Sequence, residues 1–402
     1  MLSTDIVVIG AGCIGLTAAI GLANKGMRIV VVDASIGEKT LTKPELRVSA
    51  ISAASENIFR ALNVWPAFED ARLAPYQLMK VWEKDSFGKI EFNAHTLGEP
   101  RLGHIIENDN IRNGLIKVAQ QHQNIELKFN TKVQGLHNTD EQVLLTLDDG
   151  TPVVAKLCIA ADGANSWVRK QLNIPVTFSD YDHHALVATV KTQEPHGDCA
   201  RQVFLPQGPL ALLPLADSHL CSIVWSSIPE KTNQLQHMSD ADFNAAITAA
   251  TDSELGVIEI QSNRPSYPLT MRYARSWYQQ RVVFMGDAAH TIHPLAGLGM
   301  NLGLLDAASL IQLINKDELS SDQIAKSLFK YQGWRKAEAQ TYIGAMGSLK
   351  ELFAGKNPIK KIIRGLGLFV TDSAPIMKDK IIEHAMGISG NLPELAKPID
   401  PI

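Results

Sequence analysis

Residues 5–15 read DIVVIGAGCIG, a short β-branched run followed by the pattern Gly-x-Gly-x-x-Gly at Gly10, Gly12 and Gly15. The apolar run predicts a strand that is buried on both faces, and the Leu- and Ala-rich residues 14–25 predict a helix behind the glycines. In a strand–turn–helix unit of this kind, the glycines let a pyrophosphate approach the backbone at the positive end of the helix. The segment therefore predicts a dinucleotide site.

An acidic residue completes the pattern. Residues 28–32 (RIVVV) predict a second parallel strand, and Asp33 follows it, 18 residues after Gly15. A carboxylate there binds the hydroxyl pair of a ribose and repels a 2′-phosphate, so FAD or NAD fits and NADP does not. No second glycine fingerprint follows a strand. If this one site holds FAD, any nicotinamide binds transiently elsewhere.

The composition indicates a globular protein without a nucleic-acid partner. The chain has 402 residues, is 45% hydrophobic, and carries a net charge of −4 from 38 basic and 42 acidic residues. This length predicts two or three domains, and the charge balance gives no basic field for nucleic acid. The four cysteines form no Cys-x-x-Cys pair, which predicts no zinc site or disulfide framework and fits a reducing cytoplasm. Glycines interrupt the apolar run 6–23, so it predicts buried protein instead of a membrane span.

A second glycine-rich segment lies far along the chain. After the apolar run 281–285 (RVVFM), the sequence reads GDAAH at 286–290 and GLGMN at 297–301. Asp287, directly after a buried strand, can hold the ribityl hydroxyls of a flavin. A glycine loop that begins a helix presents N–H groups to the pyrimidine edge of an anionic reduced flavin. This segment favours FAD as the dinucleotide.

With residues 161–166 (ADGANS), these segments resemble the three signatures of the class A FAD-dependent aromatic hydroxylases. Further stretches, among them LRVSAISAAS (46–55) and VWEKDSFGKIEF (81–92), extend the similarity over nearly the whole chain. These stretches are similar to the ubiquinone-biosynthesis branch, above all to its members that hydroxylate 2-polyprenylphenols. The family usually has Gln and Val where Leu298 and Met300 stand. Because those flavin contacts are largely made by the backbone, we expect FAD binding to survive.

The resemblance implies an FAD-dependent monooxygenase. With NAD(P)H and O2 it would hydroxylate the aromatic ring of a polyprenylphenol in ubiquinone biosynthesis, through a flavin C4a-hydroperoxide. Such chemistry requires no covalent nucleophile, so we name no catalytic residue. Two alternatives stay open: a flavin-dependent reductase or oxidase of an isoprenoid, and a non-catalytic FAD-binding scaffold of a quinone-synthesis complex.

The implied fold is α/β, with a Rossmann-like FAD-binding domain of the p-hydroxybenzoate hydroxylase type, an antiparallel-sheet substrate domain and a helical C-terminal segment. We expect the FAD-binding domain at residues 1–75, 101–180 and 275–320, the substrate domain at 76–100 and 181–274, and the helical region at 321–402. Short strands separated by Pro, Gly and Asp turns over 185–227 predict the antiparallel sheet, which is the candidate substrate face. Residues 45–68 have a helical pattern.

The resemblance also implies roles for the residues that match the family signatures. The expected cofactor-binding residues are Gly10, Gly12 and Gly15 at the FAD pyrophosphate, Asp33 at the adenosine ribose, Arg47 near the pyrophosphate or the nicotinamide, Asn108 on the ribityl side, Asp162 in a motif linked to FAD and NAD(P)H, Asp287 at the ribityl chain, and Gly297, Gly299, Met300 and Asn301 at the flavin ring. Arg112, near Asn108, is a further candidate.

Two other features have competing interpretations. The pair His290-x-x-His293 has the spacing of metal ligands, but Pro294 breaks any helix and no carboxylate partner is evident. We predict a structural or flavin-loop role there and no metal. Residues 352–370 mix basic and apolar side chains, which is typical of an interfacial helix and equally of an ordinary surface helix. Given a lipid substrate, we expect a cytoplasmic protein that contacts a membrane surface or other ubiquinone-biosynthesis proteins.

Overall fold

The computed structural model describes residues 1–86, 88–291, 298–319, 322–353 and 386–398. Its strands are β1 (Leu2–Ile9), β2 (Ile29–Val32), β3 (Val48–Ser52), β4 (Leu73–Tyr76), β5 (Leu78–Glu83), β6 (Lys89–Asn93), β7 (Gly103–Glu107), β8 (Ile125–Lys128), β9 (Val133–Asn138), β10 (Val143–Leu147), β11 (Pro152–Ala160), β12 (Val176–Thr192), β13 (Cys199–Leu205), β14 (Gly208–Pro214), β15 (Leu220–Ser227), β16 (Ile258–Ile260), β17 (Ser266–Ala274), β18 (Tyr278–Gln279), β19 (Val282–Phe284) and β20 (His290–Thr291). Its helices are α1 (Cys13–Asn24), α2 (Ala53–Ala61), α3 (Asn108–Gln121), α4 (Trp167–Gln171), α5 (Pro229–His237), α6 (Asp240–Ala250), α7 (Leu298–Leu313) and α8 (Gln323–Phe353).

The first sheet contains the predicted βαβ unit. Its parallel strands run in the order β8–β2–β1–β11–β19, and the antiparallel β18 lies at the β19 edge. Strands β1 and β2 are rich in Ile and Val and are almost wholly buried, because helices cover the sheet. Helix α1 packs between α3 and α7. The carboxyl ends of β1, β11 and β19 therefore lie side by side at one edge of the sheet.

The second sheet is largely antiparallel. Its strand order is β20–β17–β12–β15–β14–β13–β5–β6, with β16 beside β12 and a parallel pairing between β13 and β5. One of its faces packs under α5 and α6 through a core that includes Leu212, Trp225 and Phe243. Strand β12 crosses the domain boundary predicted between 180 and 181, since its first residues already pair with β17.

A small antiparallel sheet of β3, β7 and β4 lies against the second sheet. Ala74 and Ile105 of this small sheet pack with Leu215, which follows β14. The prediction of a helix over residues 45–68 was wrong for its first part. Residues 48–52 form a strand that pairs with β7, and helix α2 begins at Ala53. Pairing with a strand far along the chain overrides the local pattern here.

Only part of the predicted helical region 321–402 lies within the described residues. Helix α8 is there, while residues 386–398 form an irregular segment with one short 3-10 turn. This segment is tied to the body of the protein by hydrogen bonds such as that from Asn57 Nδ2 to the Ala396 carbonyl (3.1 Å). Most of the amphipathic stretch 352–370 lies outside the described residues. Among the helices that are described, none is long and apolar enough to cross a membrane.

Candidate active site

The glycine fingerprint forms a tight turn between β1 and α1. Gly10 has a left-handed φ of +107°, and a Cβ there would lie 2.3 Å from the Ala161 carbonyl oxygen. A Cβ at Gly15 would lie 2.1 Å from the Gly10 carbonyl oxygen. At Gly12, in contrast, a Cβ would meet no described atom within 4 Å. Two glycines thus allow close packing, and the third leaves open space above the turn.

The open space above Gly12 suits an anion. In the described structure no side chain caps α1, and its first turn holds no acidic residue. The N–H groups and the positive end of the helix dipole are therefore available to a phosphate. This observation fits the pyrophosphate of a dinucleotide.

Asp33 lies at the end of β2 beside this turn. Its Oδ2 accepts a hydrogen bond from the Ala11 N–H (2.5 Å), and its Oδ1 accepts from the Ser35 N–H (2.6 Å) and hydroxyl (2.5 Å). The residue is only half-buried. These bonds fix the orientation of the carboxylate while one side stays accessible, as a ribose would require.

Arg112 is buried beneath the same turn. Its Nε donates to the Ala11 carbonyl (2.9 Å), and its Nη1 donates to the Gly37 carbonyl (2.6 Å). Its Nη2 donates to the Ser35 hydroxyl (3.1 Å) and the Ile36 carbonyl (2.8 Å). The guanidinium is thus occupied by protein acceptors, and it connects the fingerprint to the loop that follows Asp33.

Arg47 and Asn108 are neighbours. The Asn108 N–H donates to the Arg47 carbonyl (3.0 Å), and the Asn108 side-chain oxygen accepts from the Ser49 hydroxyl (2.7 Å). The Cys13 thiol contacts the Asn108 carbonyl (3.8 Å), which places the start of α3 beside the start of α1. The Arg47 side chain is exposed.

Asp162 and Arg169 lie where the segment 161–166 approaches the segment 286–290. Asp162 Oδ2 accepts from the Val168 N–H (3.1 Å), whereas Oδ1 is buried without a hydrogen-bond partner among the described residues. Arg169 donates to the carbonyls of Ala164 and Ala288, both at 2.7 Å. This arginine joins the two signatures, and sequence reasoning missed it because a lone Arg carries no spacing signal. The unsatisfied Oδ1 is an atom that a bound cofactor could satisfy.

Asp287 follows β19 in a short 3-10 turn, and the residue is exposed. Partial loss of hydration raises the pKa of its carboxyl, although nearby His290, Arg47 and Arg272 act in the opposite direction. Asp287 and Arg47 therefore lie within electrostatic reach of each other, despite their separation in sequence.

The predicted flavin-ring segment is only partly described, because Gly297 and His293 lie outside the described residues. Gly299 faces open space, since a Cβ there would meet no described atom within 4 Å. Met300 is half-buried and packs against the main core. Among the described residues, none fills the space next to Gly299 at the start of α7.

Asn301 fastens the start of α7 to β3. Its Nδ2 donates to the Ala50 carbonyl (2.7 Å), and its Oδ1 accepts from the Ser52 N–H (3.0 Å). The residue is buried. The side chain thus fixes the first turn of α7 to the small sheet.

A cavity of about 130 Å³ lies between the small sheet and the second sheet. Most of the residues around it are apolar; its lining is Val48, Ala50, Tyr76, Met79, Ile105, Ala200, Arg201, Gln202, Pro209, Ala211, Leu213, Val224 and Ser226. Burial raises the pKa of the Tyr76 hydroxyl to about 12, so this group keeps its proton at neutral pH and can donate a hydrogen bond. Strands β13 to β15, from the predicted substrate face, supply one wall.

The expectation that His290 lacks a carboxylate partner was wrong. Asp306 of α7 accepts a hydrogen bond from His290 Nε2 at 2.6 Å. The two residues are 16 positions apart in the sequence, and no short motif marks them as a pair. Within the described residues, no group of three or more His, Cys, Asp or Glu side chains could hold a metal ion.

Comparison with known proteins identifies the class. The FAD binding domain family matches residues 3–341. The chain is 34% identical over 389 residues to the 3-demethoxyubiquinol 3-hydroxylase of Escherichia coli K12, covering 96% of this chain and 99% of that protein. The chain belongs to the FAD-dependent ubiquinone-biosynthesis hydroxylases. It is also 30% identical over 431 residues to the ubiquinone biosynthesis monooxygenase COQ6 of Drosophila melanogaster, covering 95% of this chain and 90% of that protein.

Solved structures support the fold of this hydroxylase. The p-nitrophenol 4-monooxygenase PnpA of Pseudomonas putida DLL-E4 superimposes with a TM-score of 0.79 at 19% identity, covering 96% of this chain and 99% of that one. The monooxygenase PieE, solved in complex with FAD and substrate, gives a TM-score of 0.68 at 18% identity, covering 96% of this chain and 72% of that one. The predicted fold class, the predicted FAD-dependent aromatic hydroxylase class and the predicted FAD cofactor are confirmed.

Proposed function

We propose that this hydroxylase adds a hydroxyl group to the ring of a polyprenylated phenol in ubiquinone biosynthesis, with NAD(P)H as the reductant and O2 as the oxidant. The observation that carries the proposal is the apolar cavity between the small sheet and the second sheet, whose lining residue Ala50 is bonded to Asn301 in the first turn of α7. Bound FAD supplies the redox chemistry. The protein binds the cofactor, orients the ring and excludes water.

Residues in several parts of the chain are suited to hold different parts of FAD. We propose that the Gly10–Gly12–Gly15 turn binds the pyrophosphate, Asp33 the adenosine ribose, and Asp287 the ribityl chain, while Gly297 to Asn301 adjoin the ring and Arg47, Asn108 and Asp162 line the approach between them. The open space at Gly12 and the unsatisfied Oδ1 of Asp162 support this assignment.

The cavity fits an aromatic head group. Apolar side chains such as Ile105, Leu213 and Val224 would hold the ring away from water. We propose that the Tyr76 hydroxyl donates a hydrogen bond to the phenol oxygen of the substrate and keeps its own proton. A polyprenyl tail also requires an apolar environment, and residues 352–370 are the predicted contact with a membrane or partner protein.

A second candidate substrate is a demethoxyubiquinol. It is favoured by the name of the Escherichia coli relative, whose full length this chain matches. The first candidate, a 2-polyprenylphenol, follows from the segment similarities in the sequence. Both substrates are electron-rich rings with a prenyl tail, so both suit the same cavity.

The lipids of a strain that lacks the gene test the proposal. Mass spectrometry is expected to show a polyprenylphenol without its first added ring hydroxyl, and the gene on a plasmid should remove it. Accumulation of a demethoxyubiquinol would instead support the second candidate. An unchanged lipid profile would overturn both. Purified protein supplied with ¹⁸O2 must place one labelled atom on the ring, which a reductase, an oxidase or a scaffold would not do.

A further inference from the structure

A buried charged cluster lies directly behind Asp287. Asp306 of α7, Arg335 of α8 and His290 are each at most 2% exposed. None of them belongs to the residues assigned to FAD above. Burying charged groups is costly unless they are paired, so a cluster of this kind requires an explanation.

Asp306 makes bonds to both ends of the turn that carries Asp287. Its Oδ2 accepts from the Gly286 N–H (3.1 Å) and from His290 Nε2 (2.6 Å). Gly286 immediately precedes Asp287 and has a left-handed φ of +55°. One carboxylate oxygen therefore holds the peptide before Asp287 and the side chain three residues after it.

The rest of the cluster fixes Asp306 itself. Its Oδ1 accepts from Arg335 Nε (2.8 Å), which balances the carboxylate charge. The His290 ring stacks on Trp277, with ring centres 4.8 Å apart and planes inclined by 26°. A carboxylate oxygen can only accept a hydrogen bond, so Nε2 of His290 carries the hydrogen that is donated to Asp306, while Nδ1 has no hydrogen-bond partner in the described part of the chain.

We propose that Asp306 is a positioning residue for FAD, which acts through Gly286 and His290 to hold the Asp287 carboxylate where the ribityl chain binds. The inference rests on the proposed role of Asp287. Without the Asp306 contacts, the turn could adopt other conformations, and binding would have to restore the correct one at a cost in affinity. Arg335 contributes by keeping Asp306 charged and oriented.

The test is a double-mutant cycle on the FAD dissociation constant, measured by fluorescence with apoprotein and no substrate. Asp306→Asn and Asp287→Ala should each weaken FAD binding by about tenfold or more. If Asp306 acts through Asp287, Asp306→Asn should cause no further loss in the Asp287→Ala background. Equal losses in both backgrounds would overturn the proposal.

Further variants separate positioning from general stability. Tyr331→Phe removes a buried hydrogen bond from α8 to the Phe284 carbonyl (3.0 Å) and should lower the apoprotein melting temperature without changing the FAD dissociation constant. Should Asp306→Asn fail to fold, His290→Gln, which keeps a donor, should retain affinity, and His290→Leu should lose it. Equal affinities for these two would overturn the proposal. An unchanged dissociation constant in Asp287→Ala would overturn the role of Asp287 and this inference, but would leave the lipid experiment unaffected.

Discussion

Asp33 and Arg112 hold the peptide groups of Ala11 from two sides: the Asp33 carboxylate accepts the N–H at 2.5 Å, and Arg112 Nε donates to the carbonyl at 2.9 Å. Both side chains also bond to Ser35. The fingerprint turn and the loop that follows Asp33 are thus one hydrogen-bonded unit. Its geometry depends on a side chain that comes from α3, outside the βαβ motif.

Arg112→Lys should destabilise the apoprotein by about 2–3 kcal/mol, because one ammonium group cannot replace a planar fork with four acceptors. Urea unfolding measures the loss. Arg28→Lys is the matched control. The Arg28 side chain is 63% exposed and makes only a long ion pair with Asp5 (3.7 Å), so this change should alter stability by less than about 0.5 kcal/mol. Similar losses of stability for the two variants would show that the Arg112 hydrogen bonds do not stabilise this unit.

Substitutions at two fingerprint glycines should separate an effect on folding from an effect on FAD binding. Gly15→Ala places a methyl group 2.1 Å from the Gly10 carbonyl oxygen and should cost the apoprotein about 3 kcal/mol. Gly12→Ala meets no described atom within 4 Å, so the melting temperature should hold while the methyl group obstructs the pyrophosphate. An FAD titration should show weaker binding by about tenfold or more for Gly12→Ala. Unchanged affinity would mean that the pyrophosphate lies elsewhere.

Much of this fold could be predicted from the sequence because its pattern is local. Strand β1, the fingerprint and α1 are contiguous, and periodicity with glycine spacing is enough to find them. The buried links were not predictable in the same way. Arg169 donates to the carbonyls of Ala164 and Ala288, and Arg335 of α8 donates to Asp306 of α7. No fixed sequence spacing marks either set of partners. Strand β3 was missed since its partner β7 lies more than fifty residues away.

The cavity should control substrate binding independently of FAD. Along β14, Ala211 faces the cavity, whereas Leu212 faces the opposite core. Ala211→Phe should fill the cavity and raise the KM for the phenolic substrate, with the FAD dissociation constant unchanged. Leu212→Ala should cost about 3 kcal/mol of stability without a selective effect on KM. Steady-state kinetics and urea unfolding should be measured for both variants. A normal KM in Ala211→Phe would exclude this cavity as the substrate site.

Tyr76→Phe tests the proposed contact with the phenol oxygen. Loss of one hydrogen bond to the substrate should lower kcat/KM by about tenfold. Because burial raises the Tyr76 pKa to about 12, the wild-type profile should show no step from this group between pH 6 and pH 10. An unchanged kcat/KM in Tyr76→Phe would remove Tyr76 from substrate binding.

Glu56 should make the stability of this hydroxylase depend on pH in acid. Burial alone would raise its pKa, but contacts with His104 (3.0 Å), Arg101 (3.0 Å) and Arg60 (2.7 Å) outweigh that effect and lower the pKa to about 2. The folded pKa lies below the unfolded one, so this stabilisation is complete above the unfolded value and is lost as pH falls through the folded value. Between pH 6 and pH 3 the wild type should therefore lose about 2 kcal/mol more than Glu56→Gln in urea unfolding. Other carboxyl groups titrate in both proteins, so the difference isolates Glu56, and parallel stability curves would show that its ion pairs do not stabilise the fold.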